Sequence, residues 1–270
     1  MNLIDIHAHL EHKRFKKDLD KVIERARGAG VRCIIASGVN SSTNRIILDF
    51  AKKYPNIVKI SFGIYPLDAL AKEIEAGEAE GFVRDIEKFD LEKELKFIEE
   101  NKDKCVAIGE CGLDYNWKDF QTKEMKEKQK QVFKKIIDLA KKIDKTLIVH
   151  SRKAESDAIE MLEKAGMKKV IMHCFSAKKS LIKRAVDNKW YFSVPPIITR
   201  LQHFQTLVSI VPIEQLLTET DCPYLSPVAG ERNEPGNVSV TIKEIAKIKH
   251  LSEEEVADVI WQNAEKLFGL

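Results

Sequence analysis

Eight short apolar runs alternate with amphipathic stretches along the 270 residues, and this alternation limits the possible folds more than composition does. A run of roughly four to eight apolar or β-branched residues reads as a strand, whereas apolar residues three and four apart mark one face of a helix. Strands are therefore expected at 3–7, 33–37, 58–62, 105–109, 146–149, 169–172, 191–194 and 216–218. Helices are expected at 18–29, 42–54, 91–101, 122–143, 155–165, 178–187, 199–211, 240–249 and 252–268. The longest connection, 63–103, should hold a further helix at 66–76 and a Gly-containing turn. Strict alternation favours one parallel (β/α)8 TIM barrel spanning 1–270 over a doubly wound open sheet, and such barrels need about 250 residues.

Composition excludes several classes. The 45 Lys and Arg against 42 Asp and Glu leave a net charge of only +3, so no global field points to a nucleic-acid or polyacidic partner; any such contact must be local. Cys33, Cys105, Cys111, Cys174 and Cys222 are odd in number, scattered and without a C-x-x-C pair, as expected of reduced thiols. With no secretory segment and no apolar run of about 18 residues, a soluble, cytoplasmic protein is expected.

The expected strand ends gather the chemistry. His7 and His9 lie two residues apart, and in a strand such side chains share a face and can chelate one metal ion. Glu110 follows the fourth run, His150 the fifth, His173 the sixth and Asp221 the eighth. A lone histidine after a strand is ordinarily a satisfied polar residue. In a barrel, however, all these ends meet in one ring at the top face, where barrel active sites lie. Four of the seven histidines in that ring, joined by two carboxylates, point to a metal site; His12, His203 and His250 fall outside it.

Six ordered motifs run through the chain: Asp5-Ile6-His7-Ala8-His9, Gly109-Glu110-Cys111-Gly112-Leu113-Asp114-Tyr115, His150-Ser151-Arg152, His173-Cys174-Phe175-Ser176, Glu219-Thr220-Asp221-Cys222-Pro223-Tyr224-Leu225 and Arg232-Asn233-Glu234-Pro235. Together they resemble the TatD family of metal-dependent deoxyribonucleases, within the amidohydrolase superfamily. The resemblance implies a barrel holding two divalent metal ions, with His7, His9 and Asp221 on one, His150 and His173 on the other, and Glu110 bridging. Many superfamily relatives bridge with a carboxylated lysine, whereas here Glu110 supplies the carboxylate. One position departs from the pattern: the family usually has His before the Pro of its third-strand motif, and this chain has Gly63-Ile64-Tyr65-Pro66. Tyr65 can donate a hydrogen bond as a substrate contact but is neutral near pH 7.

Two such ions lower the proton affinity of water between them and stabilise the entering and leaving oxygens of an in-line displacement at phosphorus. Asp221 is the candidate general base. Imidazole and carboxylate ligands suit Zn, Mn or, less well, Mg. Arg152 is a candidate phosphate clamp or one half of a structural ion pair, and the Lys13, Arg14, Lys16 and Lys17 run reads first as a solvated loop. Glu219 can orient a ligand histidine or meet substrate, and Asn233 and Glu234 are expected to order the last loop. Trp117 and Tyr115 can stack a base, with packing the simpler role for Trp117, and Cys174 and Cys222 are expected to pack. The expected activity is removal of nucleotides from DNA ends or single strands. The alternatives are hydrolysis of an amide or ester, such as a cyclic amide or an aminoacyl-tRNA ester, and a barrel that binds metal without turnover.

Overall fold

The computed structural model describes residues 1–73 and 86–270. Eight strands lie in it in the order β1 Leu3–Ala8, β2 Val31–Ser37, β3 Val58–Ile64, β4 Ala107–Asp114, β5 Thr146–Arg152, β6 Val170–Met172, β7 Tyr191–Val194 and β8 Leu216–Thr218. They form one sheet in sequence order, with every neighbouring pair parallel. The seam between β8 and β1 is closed beyond the regular ladder: Ala8 bridges to Cys222, and the Thr218 hydroxyl donates to the Ile4 carbonyl at 2.5 Å. The result is the (β/α)8 barrel expected from the alternation.

The helices between and after the strands are α1 Leu19–Gly28, α2 Ser41–Lys53, α3 Pro66–Ala69, α4 Leu91–Glu100, α5 Lys123–Lys142, α6 Glu155–Lys164, α7 Lys179–Asp187, α8 Gln202–Ile210, α9 Val238–Lys249 and α10 Glu253–Phe268. α5 shows how they are made. Thr122 caps it by accepting from the Met125 amide at 3.2 Å, and Val132, Phe133, Ile136, Ile137 and Ala140 are buried while most of its lysines face water. No described helix is long and apolar enough to cross a membrane.

Several boundaries differ from expectation. β4 runs on to Asp114 and β5 to Arg152, because Gly112 pairs with His150, Leu113 with Ser151 and Asp114 with Arg152. A polar ladder of this kind carries no apolar periodicity and reads as loop in the sequence. Glu110 and His150 therefore stand on strands rather than after them. The expected helix at 66–76 is α3 followed by a 3-10 turn at Ala71–Glu73; its last residues and the Gly-containing turn lie outside the described residues. The helix expected at 199–211 begins at Gln202, after a 3-10 turn at Pro196–Thr199. Gly63 is required by close approach: a Cβ there would stand 1.8 Å from the Gly38 carbonyl oxygen and 2.5 Å from the Glu110 amide.

Candidate metal centre

His7 on β1 and His9 just beyond it turn their Nε2 atoms to within 3.2 Å of each other. Glu110 Oε2 lies 3.6 Å from the first of these nitrogens and 3.5 Å from the second. Asp221 Oδ1 approaches the same pair at 3.7 and 3.3 Å. Atoms that share one cation at 2.0–2.2 Å stand about 2.8 to 3.6 Å apart when their bonds diverge by roughly 90 to 109°. Four of these five separations fall within that spacing and the fifth, 3.7 Å between His7 and Asp221, lies just beyond it, so the donor set fits a divalent cation.

The other oxygen of Glu110 faces the opposite way, 2.9 Å from His150 Nδ1 and 3.9 Å from His173 Nε2. One carboxylate thus presents one oxygen to each half of the cluster. His173 also stacks on His7 with ring centroids 3.9 Å apart, and His7, His173 and Asp221 form a group whose candidate ligand atoms all lie within 4.8 Å of one another. His173 therefore faces both halves.

Every one of the four imidazoles has an oxygen at its other nitrogen. Ser37 Oγ lies 3.0 Å from His7 Nδ1, Glu11 Oε1 3.4 Å from His9 Nδ1, Asp114 Oδ2 3.2 Å from His150 Nε2 and Glu219 Oε2 2.5 Å from His173 Nδ1. Such partners hold ring orientation and tautomer, the support that metal-binding histidines require. Of these four, the sequence alone points to only Glu219 for that role. Asp114 sits inside a sequence motif and Ser37 ends an apolar strand; a further buried acid, Asp5 within β1, takes the His7 and Thr220 amides at 3.2 and 2.9 Å. The signal for Asp5 is an acid in the middle of an apolar run, and burial, working against its hydrogen bonds, pushes its carboxyl up to about 8.

Burial opposes charge throughout the cluster, and the carboxylates decide where charge survives. Glu110 is held well below the usual carboxylate range by His150, His7 and His9, and Asp221 is lowered chiefly by His9. Against the same burial, Asp114 and Glu110 raise His150 to about 10, while His7, buried and beside His173, goes down. Asp221 adopts φ of 53°, a left-handed conformation uncommon for any residue but glycine, and its loop is held in place. Asn233 does much of that holding: its amide side chain donates to the Thr220 carbonyl at 2.8 Å and its backbone amide to the Pro223 carbonyl at 3.2 Å. Glu234 pairs with Arg25 and Arg232, and Arg232 reaches Asp18, so the last loop is tied to the first.

The remaining candidates separate. Tyr65 is buried, and its hydroxyl donates to Asp114 Oδ2 at 2.8 Å; Trp117 Nε1 donates to the same oxygen at 3.0 Å. Tyr115 is also buried, with its hydroxyl on Asp157 at 3.0 Å, which leaves no face for a base. Arg152 stands exposed at the end of β5. Burial pushes the Cys174 and Cys222 thiols well up, away from nucleophilic reactivity.

The chain is similar in sequence and fold to known proteins. Deoxyribonuclease TATDN3 of Homo sapiens is 37% identical over 268 residues, covering 99% of this chain and 95% of the relative. The uncharacterized metal-dependent hydrolase YabD of Bacillus subtilis is 33% identical over 276 residues, covering 99% of each. The crystal structure of YJJV, a TatD homologue from Escherichia coli, superposes with a TM-score of 0.85 at 24% identity, covering 99% of this chain and 98% of that one. A family model of TatD related DNases matches residues 4–269, and the chain belongs to that family.

Proposed function

We propose that the chain is a divalent-metal-dependent phosphodiesterase that removes nucleotides from DNA ends or single strands. The observation that carries this reading is the split of Glu110, with Oε1 toward His150 and Oε2 toward His7 and His9. One carboxylate so placed suits a pair of cations, Mg, Mn or Zn, with His7, His9 and Asp221 around one and His150 and His173 around the other. Bound there, the cations supply Lewis acidity toward water and toward a phosphoryl oxygen. The named relatives described as deoxyribonucleases support DNA as the substrate.

The chain's own groups do the rest. Asp221, lowered into its ionised form, is the group that takes a proton from the attacking water at its carboxylate oxygen. Glu110 holds the two halves in register. Arg152, exposed on the same face and without an ion pair among the described residues, offers a bidentate fork to a substrate phosphate. Tyr65, with its hydroxyl 2.8 Å from Asp114 Oδ2 and 3.4 Å from His150 Nε2, positions His150 both directly and through that carboxylate.

The test is cleavage of labelled single-stranded and duplex DNA beside a panel of amides and esters, with metal content measured. EDTA should abolish DNA cleavage, and Mg, Mn or Zn should restore it. DNA cleavage retained by the demetallated protein would remove the metal centre from the reaction, and amide or ester turnover without DNA cleavage would replace the substrate.

A further inference from the structure

A line of rings leads out of the metal centre on the side of His9. The Tyr224 ring lies 6.3 Å from that of His9, edge to face, and the His12 ring lies a further 5.5 Å out, again edge to face. Tyr224 and His12 are both half-buried, so each keeps surface open to solvent. The two belong to different loops, the one after β8 and the one after β1.

The loops are locked together around these rings. The Tyr224 amide donates to the Asp221 carbonyl at 3.0 Å, which ties the ring to the turn that carries the proposed base. His12 Nδ1 accepts from the Arg14 amide at 3.2 Å. The Arg14 carbonyl takes Arg232 Nη1 at 2.6 Å, and its guanidinium reaches the Pro223 carbonyl at 3.4 Å. A single long contact leaves most of the Arg14 donor fork for an anion beside the rings. An aromatic face, a second ring and a cation next to a phosphodiesterase centre make up the set that single-strand binders use: stacking for the base and positive charge for the backbone.

We propose that Tyr224 and His12 form a nucleobase shelf, on which the base adjoining the cleaved phosphodiester lies against Tyr224 while Arg14 meets the neighbouring phosphate. The shelf rests on the phosphodiesterase reading given above and makes it specific: the preferred substrate is a strand whose base next to the cut is unpaired and free to leave its stack. Tyr224 determines specificity here and does not enter the chemistry.

The experiment compares single-stranded oligonucleotides with intact ends and with both terminal nucleotides replaced by an abasic tetrahydrofuran unit, using the metal-loaded full chain. Loss of one base stack corresponds to a rise in KM of about five- to 150-fold, so wild type should discriminate against the abasic strand by that factor. Tyr224→Leu should bring the ratio close to one, and Tyr224→Phe, which keeps the ring, should preserve it. Measured metal content ensures that the centre is loaded in each. A ratio kept by Tyr224→Leu, or a wild type that treats both strands alike, overturns the shelf while leaving the phosphodiesterase reading in place. A wild type that cuts neither strand overturns both.

Discussion

Glu219 Oε2 lies 2.5 Å from Nδ1 of His173, and both side chains are buried. The same oxygen takes the Ser193 hydroxyl at 2.6 Å, and Oε1 takes the Cys174 amide at 3.0 Å, so the carboxylate cannot swing away and the ring cannot turn. With Nδ1 so occupied, Nε2 is the nitrogen left for the shared space. Glu219→Gln keeps the volume but removes the charge that raises ligand basicity. Metal affinity should fall by about ten- to a hundredfold, read by competition with a chromogenic chelator. An affinity equal to wild type would leave Glu219 a packing residue.

The imidazoles also tie metal uptake to pH. Burial disfavours the charged form of His150, but Asp114 and Glu110 outweigh it and raise the pKa to about 10 in the metal-free chain. A raised folded value means that the stabilisation is fully present below the unfolded value of about 6.5 and fades as pH rises through about 10. Glu110, held low, is already ionised near neutrality. His150, protonated at pH 7 in the absence of a cation, must give up its proton when one binds, so binding must weaken as pH falls. Calorimetric titration with Mn in buffers of different ionisation enthalpy should show release of at least one proton per chain. Zero release at pH 7 would remove His150 from the ligand set.

Tyr65 provides a third test, because its hydroxyl is on Asp114 rather than open to substrate. Tyr65→Phe removes one of three donors to Asp114 Oδ2 and the longer 3.4 Å contact to His150 Nε2, and leaves the His150 and Trp117 contacts to Asp114 in place. A single neutral hydrogen bond is worth about 0.5 to 1.5 kcal/mol, so thermal stability should drop slightly and metal affinity by less than in Glu219→Gln. The KM for DNA should stay within about twofold of wild type, since the altered group acts before substrate arrives. A large rise in KM with metal content intact would return Tyr65 to the role of substrate contact.

Much of this was legible in the sequence because the barrel repeats one physical pattern. Runs such as Ile34, Ile35 and Ala36 are buried on both faces, and the α5 stripe from Val132 to Ala140 has helical spacing, so strands and helices declare themselves. His7, His9, Glu110, His150, His173 and Asp221 could be grouped because barrel topology brings strand ends together whatever their separation in sequence. What stayed hidden depends on distance rather than pattern. The polar ends of β4 and β5 are strand only because they pair with each other. Ser37, Glu11 and Asp114 reach their histidines across strands or around turns, and no spacing rule announces such contacts. Tyr224 belongs to a sequence motif, but its place beside His9 and His12 depends on two loops coming together in the fold.

The two carboxylates of the centre should fail in different ways. Glu110 presents one oxygen to each half of the cluster, 2.9 Å from His150 and 3.5 Å from His9, so its removal breaks both halves at once. Glu110→Ala should lower the metal content of the whole site and weaken substrate binding along with rate. Asp221 Oδ1 lies 3.7 and 3.3 Å from the His7 and His9 nitrogens, and Asp221 also groups with His173. Asp221→Asn keeps the shape and one acceptor oxygen but cannot take a proton at neutral pH. The His150 side should stay loaded, and the loss should fall on kcat, by about 10² to 10⁴ if Asp221 is the general base. Metal analysis and single-turnover rates on both variants separate the two roles. Near wild-type turnover in Asp221→Asn would mean that the proton leaves by another route, and loss of all metal from that variant would make Asp221 a structural partner of Glu110 instead.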